Sequence, residues 1–201
     1  MDRWATFDCY GTLVDWNAGV RSVVGDELLP RYHELEPQVQ EEDPTRSYRD
    51  VLRDVSTRLG LDDVEALART LPEWPVFPEV REALEDAQLR GWKVAILSNT
   101  DRDFIDASMA AIGVAFEFAI AASEIDSYKP ALGHWRAFEE RVGRLPHVHV
   151  AASHFHDVVP ATTLGIPTVW INRLGERFEP PPTREQPDLV ALADTLDELV
   201  A

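Results

Sequence analysis

Arg3-Trp4-Ala5-Thr6-Phe7-Asp8-Cys9-Tyr10-Gly11-Thr12 is the stretch on which the fold turns. A short, largely apolar run from Arg3 to Phe7 stops abruptly at a polar, Gly-containing turn. Such a run suits a strand buried inside a sheet. Further runs of this kind occur at Trp92 to Leu97, Phe118 to Ala122, His147 to Ala152 and Thr168 to Ile171. Helix-like stretches such as Glu79 to Gly91 and Leu132 to Val142 separate them. Alternating strands and helices predict an α/β fold with a parallel, Rossmann-like sheet. Ligands of such sheets gather at the carboxyl ends of the strands, so the polar residues just after each run carry the functional information.

Between Asp15 and about Trp74 the pattern changes. Arg21 to Leu35, Tyr48 to Leu59 and Val64 to Leu71 read as amphipathic helices with no strand among them. Pro72-Glu73-Trp74-Pro75-Val76-Phe77-Pro78, with three prolines in seven residues, reads as a stiff return hinge. The expected organisation is a core of 1–15 and 76–201 carrying a helical insertion of 16–75. Glu41 to Thr45 reads as an exposed loop, and Phe178 to Pro187, with four prolines, as a surface connector before a final short helix.

Composition narrows the function. The 201 residues carry a formal net charge of -17, which repels nucleic acid and anionic lipid, and no basic stripe opposes it. If the substrate is an anion, local positive groups must reverse the field inside the site. No apolar run long enough for a membrane span and no signal-peptide pattern is visible, so a soluble, cytoplasmic protein is expected. The single cysteine, Cys9, excludes an internal disulfide framework and a cysteine-based zinc site.

Four polar clusters follow four of the expected strands: Asp8 with Thr12, Ser98-Asn99-Thr100, Lys129-Pro130, and Ser153-His154-Phe155-His156-Asp157. Singly each has an ordinary reading as a helix cap or a loop. Together and in this order they resemble the four motifs of the haloacid dehalogenase superfamily, and the resemblance runs along nearly the whole chain. It implies an Asp8 nucleophile and a helical cap after the first motif. Two residues past that nucleophile the phosphatase branch usually carries a second Asp that protonates the leaving group. Here the residue is Tyr10, a poor acid at neutral pH. Halide leaves without a proton and an alkoxide does not, so the motif points to dehalogenation and is similar to that of the L-2-haloacid dehalogenases. The fourth motif likewise offers only Asp157, with Ser153 four residues upstream where phosphatases have another acid. Turnover without a metal or other cofactor is therefore expected.

What the resemblance implies for the remaining residues is specific. Lys129 keeps Asp8 ionised, and Thr12 and Ser98 orient it by hydrogen bonds. Ser98 and Asn99 bind the substrate carboxylate, while Asp157 orients Lys129 and positions the hydrolytic water. Arg31, near the start of the insertion, looks like the arginine that cradles halide. Three positions depart from the family. Ala152-Ser153-His154 stands where the family has Ser-Ser-Asn, so His154 either contacts halide or water or packs at a helix start. Trp135 stands where the family has a Tyr and is expected to wall the pocket. His156 reads as structural packing. The expected partner is a small halogenated carboxylic acid, and the resemblance allows a homodimer. A magnesium-dependent phosphatase of a small phosphorylated metabolite, or a catalytically idle binding protein on the same fold, remain the alternatives.

Overall fold

A computed structural model describes residues 2–201; Met1, the first residue of the expected core segment, lies outside the described residues. The chain forms one sheet of six parallel strands in the order β3-β2-β1-β4-β5-β6. These are β1 (Arg3–Phe7), β2 (Trp92–Ser98), β3 (Phe118–Ala121), β4 (Val148–Ala151), β5 (Thr168–Ile171) and β6 (Arg184–Gln186). β1 lies at the centre, with β2 and β3 on one side and β4, β5 and β6 on the other. The chain order therefore reverses between β1 and β4, and a crevice opens at their carboxyl ends. Asp8 sits there, tied to the neighbouring strand by its backbone N–H donating to Val150 O at 3.0 Å.

The alternation of side chains in β1 builds two apolar layers. Ala5 and Phe7 face a layer with Val94, Ile96, Val148 and Val150, covered by α4 (Val80–Leu89) and α9 (Leu192–Leu199). Trp4 faces the other layer, with Ala95 and Leu97, under Trp135 and Phe138 of α7 (Gly133–Val142). Truncating Phe138 to alanine would leave a cavity costing about 3–5 kcal/mol.

β6 falls inside the stretch expected to be a surface connector. Arg184-Glu185-Gln186 has no apolar signal, and it joins the sheet through backbone pairing with Val169 to Ile171. The final short helix of the expectation is α9.

Residues 16–75 contain α1 (Trp16–Glu42), α2 (Tyr48–Leu59), α3 (Ala66–Thr70) and one turn of 3-10 helix at Leu71–Glu73. α1 begins earlier than the apolar spacing suggests because the Asp15 carboxylate accepts from Ala18 N at 2.9 Å, and Trp16 packs on Tyr32 and His33. It bends at Gly25, whose φ of 75° is a left-handed conformation that side chains resist. The helix also runs on to Glu42, so only the end of the acidic stretch is loop. The two crossings at the base pair with each other: Asp15 N donates to Pro75 O at 2.7 Å, and Phe77 N to Leu13 O at 3.0 Å. Asp101, just beyond β2, reaches up to α2, where its two oxygens accept from Tyr48 N and Arg49 N, each at 2.9 Å.

Candidate active site

Three of the four polar clusters of the sequence emerge at the carboxyl ends of strands, and the fourth, Lys129-Pro130, lies beyond β3 and the short helix Ala122–Ile125. Asp8 and Thr12 follow β1, Ser98 ends β2 and Asn99 follows it, and Ser153 to Asp157 follow β4. Asp8, Ser98, Asn99, Lys129, His156 and Asp157 border a cavity of about 580 Å³ whose opposite wall is α1, with Trp16, His33, Glu36 and Gln40.

Lys129 is the hub. Its side chain is fully enclosed, and its ammonium donates to Asp8 Oδ1 at 2.8 Å, Asp157 Oδ1 at 2.5 Å and the Leu97 carbonyl at 2.9 Å. All three protons are used, which fixes the amine. Asn99 fixes the backbone beneath it: its side chain donates to Lys129 O at 2.9 Å and accepts from Lys129 N at 2.6 Å. The Asn99 amide thus clamps the Lys129 backbone and is not turned to a substrate. Thr12 donates to Asp8 Oδ2 at 3.0 Å while accepting from Ala152 N at 2.8 Å, so its hydroxyl has one direction available. Ser98, expected to share this task, makes no hydrogen bond to Asp8; its buried hydroxyl has no partner among the described residues, and Ser98 borders the cavity.

Electrostatically the two carboxylates differ. Burial pushes the Asp8 carboxyl above its ordinary value; Lys129 opposes this and the charge of Asp157 adds to it. Burial also works against ionisation of Asp157, but there Lys129 and His149 outweigh it and hold the group below the usual carboxylate range. Burial works against the Lys129 charge as well, and Asp157 and Asp8 together hold its pKa above the ordinary lysine value. The trio therefore carries one cation between two carboxylates. Tyr10 borders the cavity with its hydroxyl 3.0 Å from Ser108 Oγ, and burial raises its pKa far above the neutral range. It supplies no acid.

Several expected site residues lie elsewhere. Arg31 is corrected outright: its side chain is 55% exposed, it pairs with Glu34 at 2.6 Å, and it does not border the cavity. The inward positions of α1 are His33, Glu36 and Gln40, so a residue at 31 falls on the outer face. Of the two readings open for His154 the structure takes packing, and His156, expected to pack, is the histidine that borders the cavity. A π-helical turn over His154–Val158, with Val158 N bonded to Ser153 O, winds this segment more widely than an α-helix. His154 accordingly stacks on Phe178 and meets Pro180 O at 2.7 Å, while His156 borders the cavity with Nδ1 3.1 Å from Ser153 Oγ. Trp135 is also no pocket wall. It is completely buried in the second apolar layer, edge-on to His149 at 5.4 Å.

Sequence reasoning missed His149, which lies inside β4 and accompanies no motif. Its Nε2 lies 2.9 Å from Asp157 Oδ1 and its Nδ1 2.9 Å from Thr6 Oγ1. It also missed Glu36, a buried carboxyl in α1 that accepts from the Gln40 amide. With no cation among the described residues bonded to it, burial pushes Glu36 up to about 7. The cavity as a whole is acidic, bordered by Asp8, Asp15, Glu36, Asp157 and Glu176 against Lys129, Arg21 and Arg173. Each of these cations already faces a carboxylate, Arg21 at Asp26 and Arg173 at Glu79, both at 2.7 Å. Among the described residues no group of three or more His, Cys, Asp or Glu side chains is arranged to hold a metal ion, and no helix is long and apolar enough to cross a membrane.

Residues 3–152 match the model of the haloacid dehalogenase-like hydrolases. The chain is 31% identical over 198 residues to an (S)-2-haloacid dehalogenase of Pseudomonas sp. (strain YL), covering 86% of this chain and 84% of that protein. It is 28% identical to (S)-2-haloacid dehalogenase 4A of Burkholderia cepacia, over 98% and 93% of the two chains. The structure of the L-2-haloacid dehalogenase from Xanthobacter autotrophicus with chloropropionic acid covalently bound superposes with a TM-score of 0.80 at 21% identity, over 98% and 99% of the chains. That likeness establishes the shared fold.

Proposed function

The chain belongs to the haloacid dehalogenase-like hydrolases, and from that premise we propose that it hydrolyses small 2-haloacids to 2-hydroxy acids through an ester on Asp8. The observation that carries this reading is Tyr10. The position two residues past a buried carboxylate, where an acid is needed to release an alkoxide, holds a phenol kept neutral by burial and tied to Ser108. A site without that acid suits a leaving group that departs as a stable anion.

In the first step an oxygen of the Asp8 carboxylate attacks the halogen-bearing carbon in line, the carbon–halogen bond breaks, and halide leaves with its electron pair. Lys129 and Thr12 hold the two Asp8 oxygens, so the attacking carboxylate is oriented before substrate arrives. The unpartnered Ser98 hydroxyl is the donor for the substrate carboxylate. In the second step water attacks the ester carbonyl carbon of Asp8. Its proton passes to Asp157, the tetrahedral intermediate collapses, and the bond to the alkyl oxygen breaks. The product hydroxyl takes up one proton, and the regenerated Asp8 carboxylate leaves one proton for solvent. Residues 16–75 act as a cap over the core of 1–15 and 76–201, shielding the ester from bulk water. The reading makes this a cytoplasmic enzyme.

The experiment is halide release from a panel of fluoro-, chloro- and bromo-2-haloacids with chelator present, alongside the Asp8→Asn variant and a generic phosphate ester. Halide release that survives chelator and is lost in the variant supports the reading. Magnesium-dependent phosphate release without halide would replace it with the phosphatase.

A further inference from the structure

His149 is a buried imidazole in the middle of a strand, 1% exposed, and the mechanism above gives it nothing to do. Its ring is nonetheless held on three sides. Nε2 meets Asp157 Oδ1 at 2.9 Å, Nδ1 meets Thr6 Oγ1 at 2.9 Å, and the Trp135 ring packs edge-on at 5.4 Å. An ionised carboxylate only accepts, so Nε2 carries the proton that points at Asp157, and in the neutral ring Nδ1 accepts from the Thr6 hydroxyl. Strand parity explains the placement. Thr6 in β1 and His149 in β4 are register partners that project from the sheet face bearing Trp4, and Asp157 comes down onto that face from the turn after β4.

The consequence lies at Asp157. Oδ1 is occupied twice, by the Lys129 ammonium at 2.5 Å and by His149 at 2.9 Å. Oδ2 is buried and has no partner within the described residues, and Asp157 borders the cavity. A carboxylate held through one oxygen by two donors cannot rotate to exchange its oxygens without breaking both bonds. We infer that His149 is a positioning residue which, together with Lys129, commits Asp157 Oδ2 to the water that hydrolyses the Asp8 ester. This rests on the ester mechanism proposed above and assigns His149 to its second step alone. Alkylation of Asp8 requires Lys129 and Thr12, neither of which touches His149 through a side-chain bond. Hydrolysis requires the water to lose a proton to Oδ2 as its oxygen bonds to the ester carbonyl carbon, and that step loses its aim when Asp157 can turn.

The test separates the two half-reactions. Rapid mixing of enzyme with excess 2-bromopropionate gives a halide burst for alkylation and a steady rate for turnover, and intact-protein mass after acid quench counts the ester. In His149→Leu the burst survives near one halide per site, the steady rate falls roughly ten- to hundredfold, and the ester accumulates. In His149→Gln, whose amide can still donate to Asp157, much of the steady rate returns. Thr6→Val, which removes the acceptor-side brace of the ring and preserves its volume, shows the same split to a smaller extent if the leucine variant does not fold. Equal loss of burst and steady rate in the leucine and glutamine variants, or an unchanged steady rate in the leucine variant, overturns the assignment. Wild-type enzyme giving neither halide nor ester would overturn the parent mechanism, and this inference with it.

Discussion

Lys129 Nζ stands 2.8 Å from Asp8 Oδ1 with the lysine side chain enclosed by protein, so the counter-ion of the reactive carboxylate is itself part of the core. The same amine holds Asp157 at 2.5 Å. Removing it leaves two buried carboxylates facing each other. Lys129→Met is therefore expected to abolish halide release and to lower stability by about 3–5 kcal/mol, read as a shift in the urea midpoint. Asp8→Asn, which leaves the Lys129–Asp157 pair intact, loses activity at far smaller cost in stability. Comparable destabilisation by the two variants would contradict this account of the hub.

Asp8 attacks only when ionised, and burial sets its pKa above the ordinary carboxylate value. Protonation on acidification therefore sets in at higher pH than for a solvated aspartate, whose pKa is about 3.9. The acid limb of kcat/KM for halide release is expected above that value. Single-turnover halide release in Asp157→Asn, which loses the like charge and leaves Lys129 to Asp8 alone, has its limb moved to lower pH. A limb at the solvated value in wild type, or a shift in the other direction, would argue against this electrostatic picture.

Glu36 gives a stability prediction of opposite sense to an ordinary acid residue. Its folded-state pKa of about 7 lies above the unfolded value, so its contribution is fully present below the unfolded pKa and is lost as pH rises through about 7. By pH 9 the loss is of order 3 kcal/mol. Glu36→Gln is expected to melt higher than wild type at pH 8.5 and close to it at pH 5. The same substitution removes a carboxyl from an acidic cavity and lowers KM for anionic haloacids. Parallel melting curves at both pH values would count against a buried, unpaired Glu36.

The arginine assignments can be checked directly. Arg31 is exposed and its partner Glu34 lies on the same helix, so Arg31→Ala leaves kcat/KM within about twofold, as expected for a surface pair. Arg21, on the same helix, borders the cavity, and Arg21→Ala is expected to raise KM where Arg31→Ala does not. A large loss in Arg31→Ala would mean that the halide cradle of the family is retained after all.

Asp101 joins core to insertion by accepting from the first two amides of α2. Asp101→Ala is expected to cost about 1 kcal/mol and to speed hydrogen exchange at Tyr48 and Arg49 selectively. Uniform protection loss would show a global effect instead.

The sequence made the strand pattern legible through simple periodicity, and the convergence of Asp8, Thr12, Lys129 and Asp157 through the order of their motifs, which resembles that of the haloacid dehalogenase superfamily. The short polar β6 stayed hidden, since it pairs through its backbone alone. So did the orientation of side chains in two segments. On α1 the inward face depends on where Asp15 caps the helix and where Gly25 bends it, which moves Arg31 outward and Glu36 inward. Around His154 a π-helical turn decides that His156 and not His154 meets the cavity. His149 could have been suspected only as a polar residue inside an otherwise apolar strand.

The measurement that bears most directly on the central claim is turnover of 2-chloropropionate in heavy-oxygen water, followed by mass analysis of the peptide containing Asp8. An Asp8 ester opened at its carbonyl carbon leaves solvent oxygen in the Asp8 carboxylate, and the first turnover gives a product hydroxyl without label. Label found in the product hydroxyl from the first turnover, with none in Asp8, would mean that water attacks the substrate directly and that Asp8 is not the nucleophile.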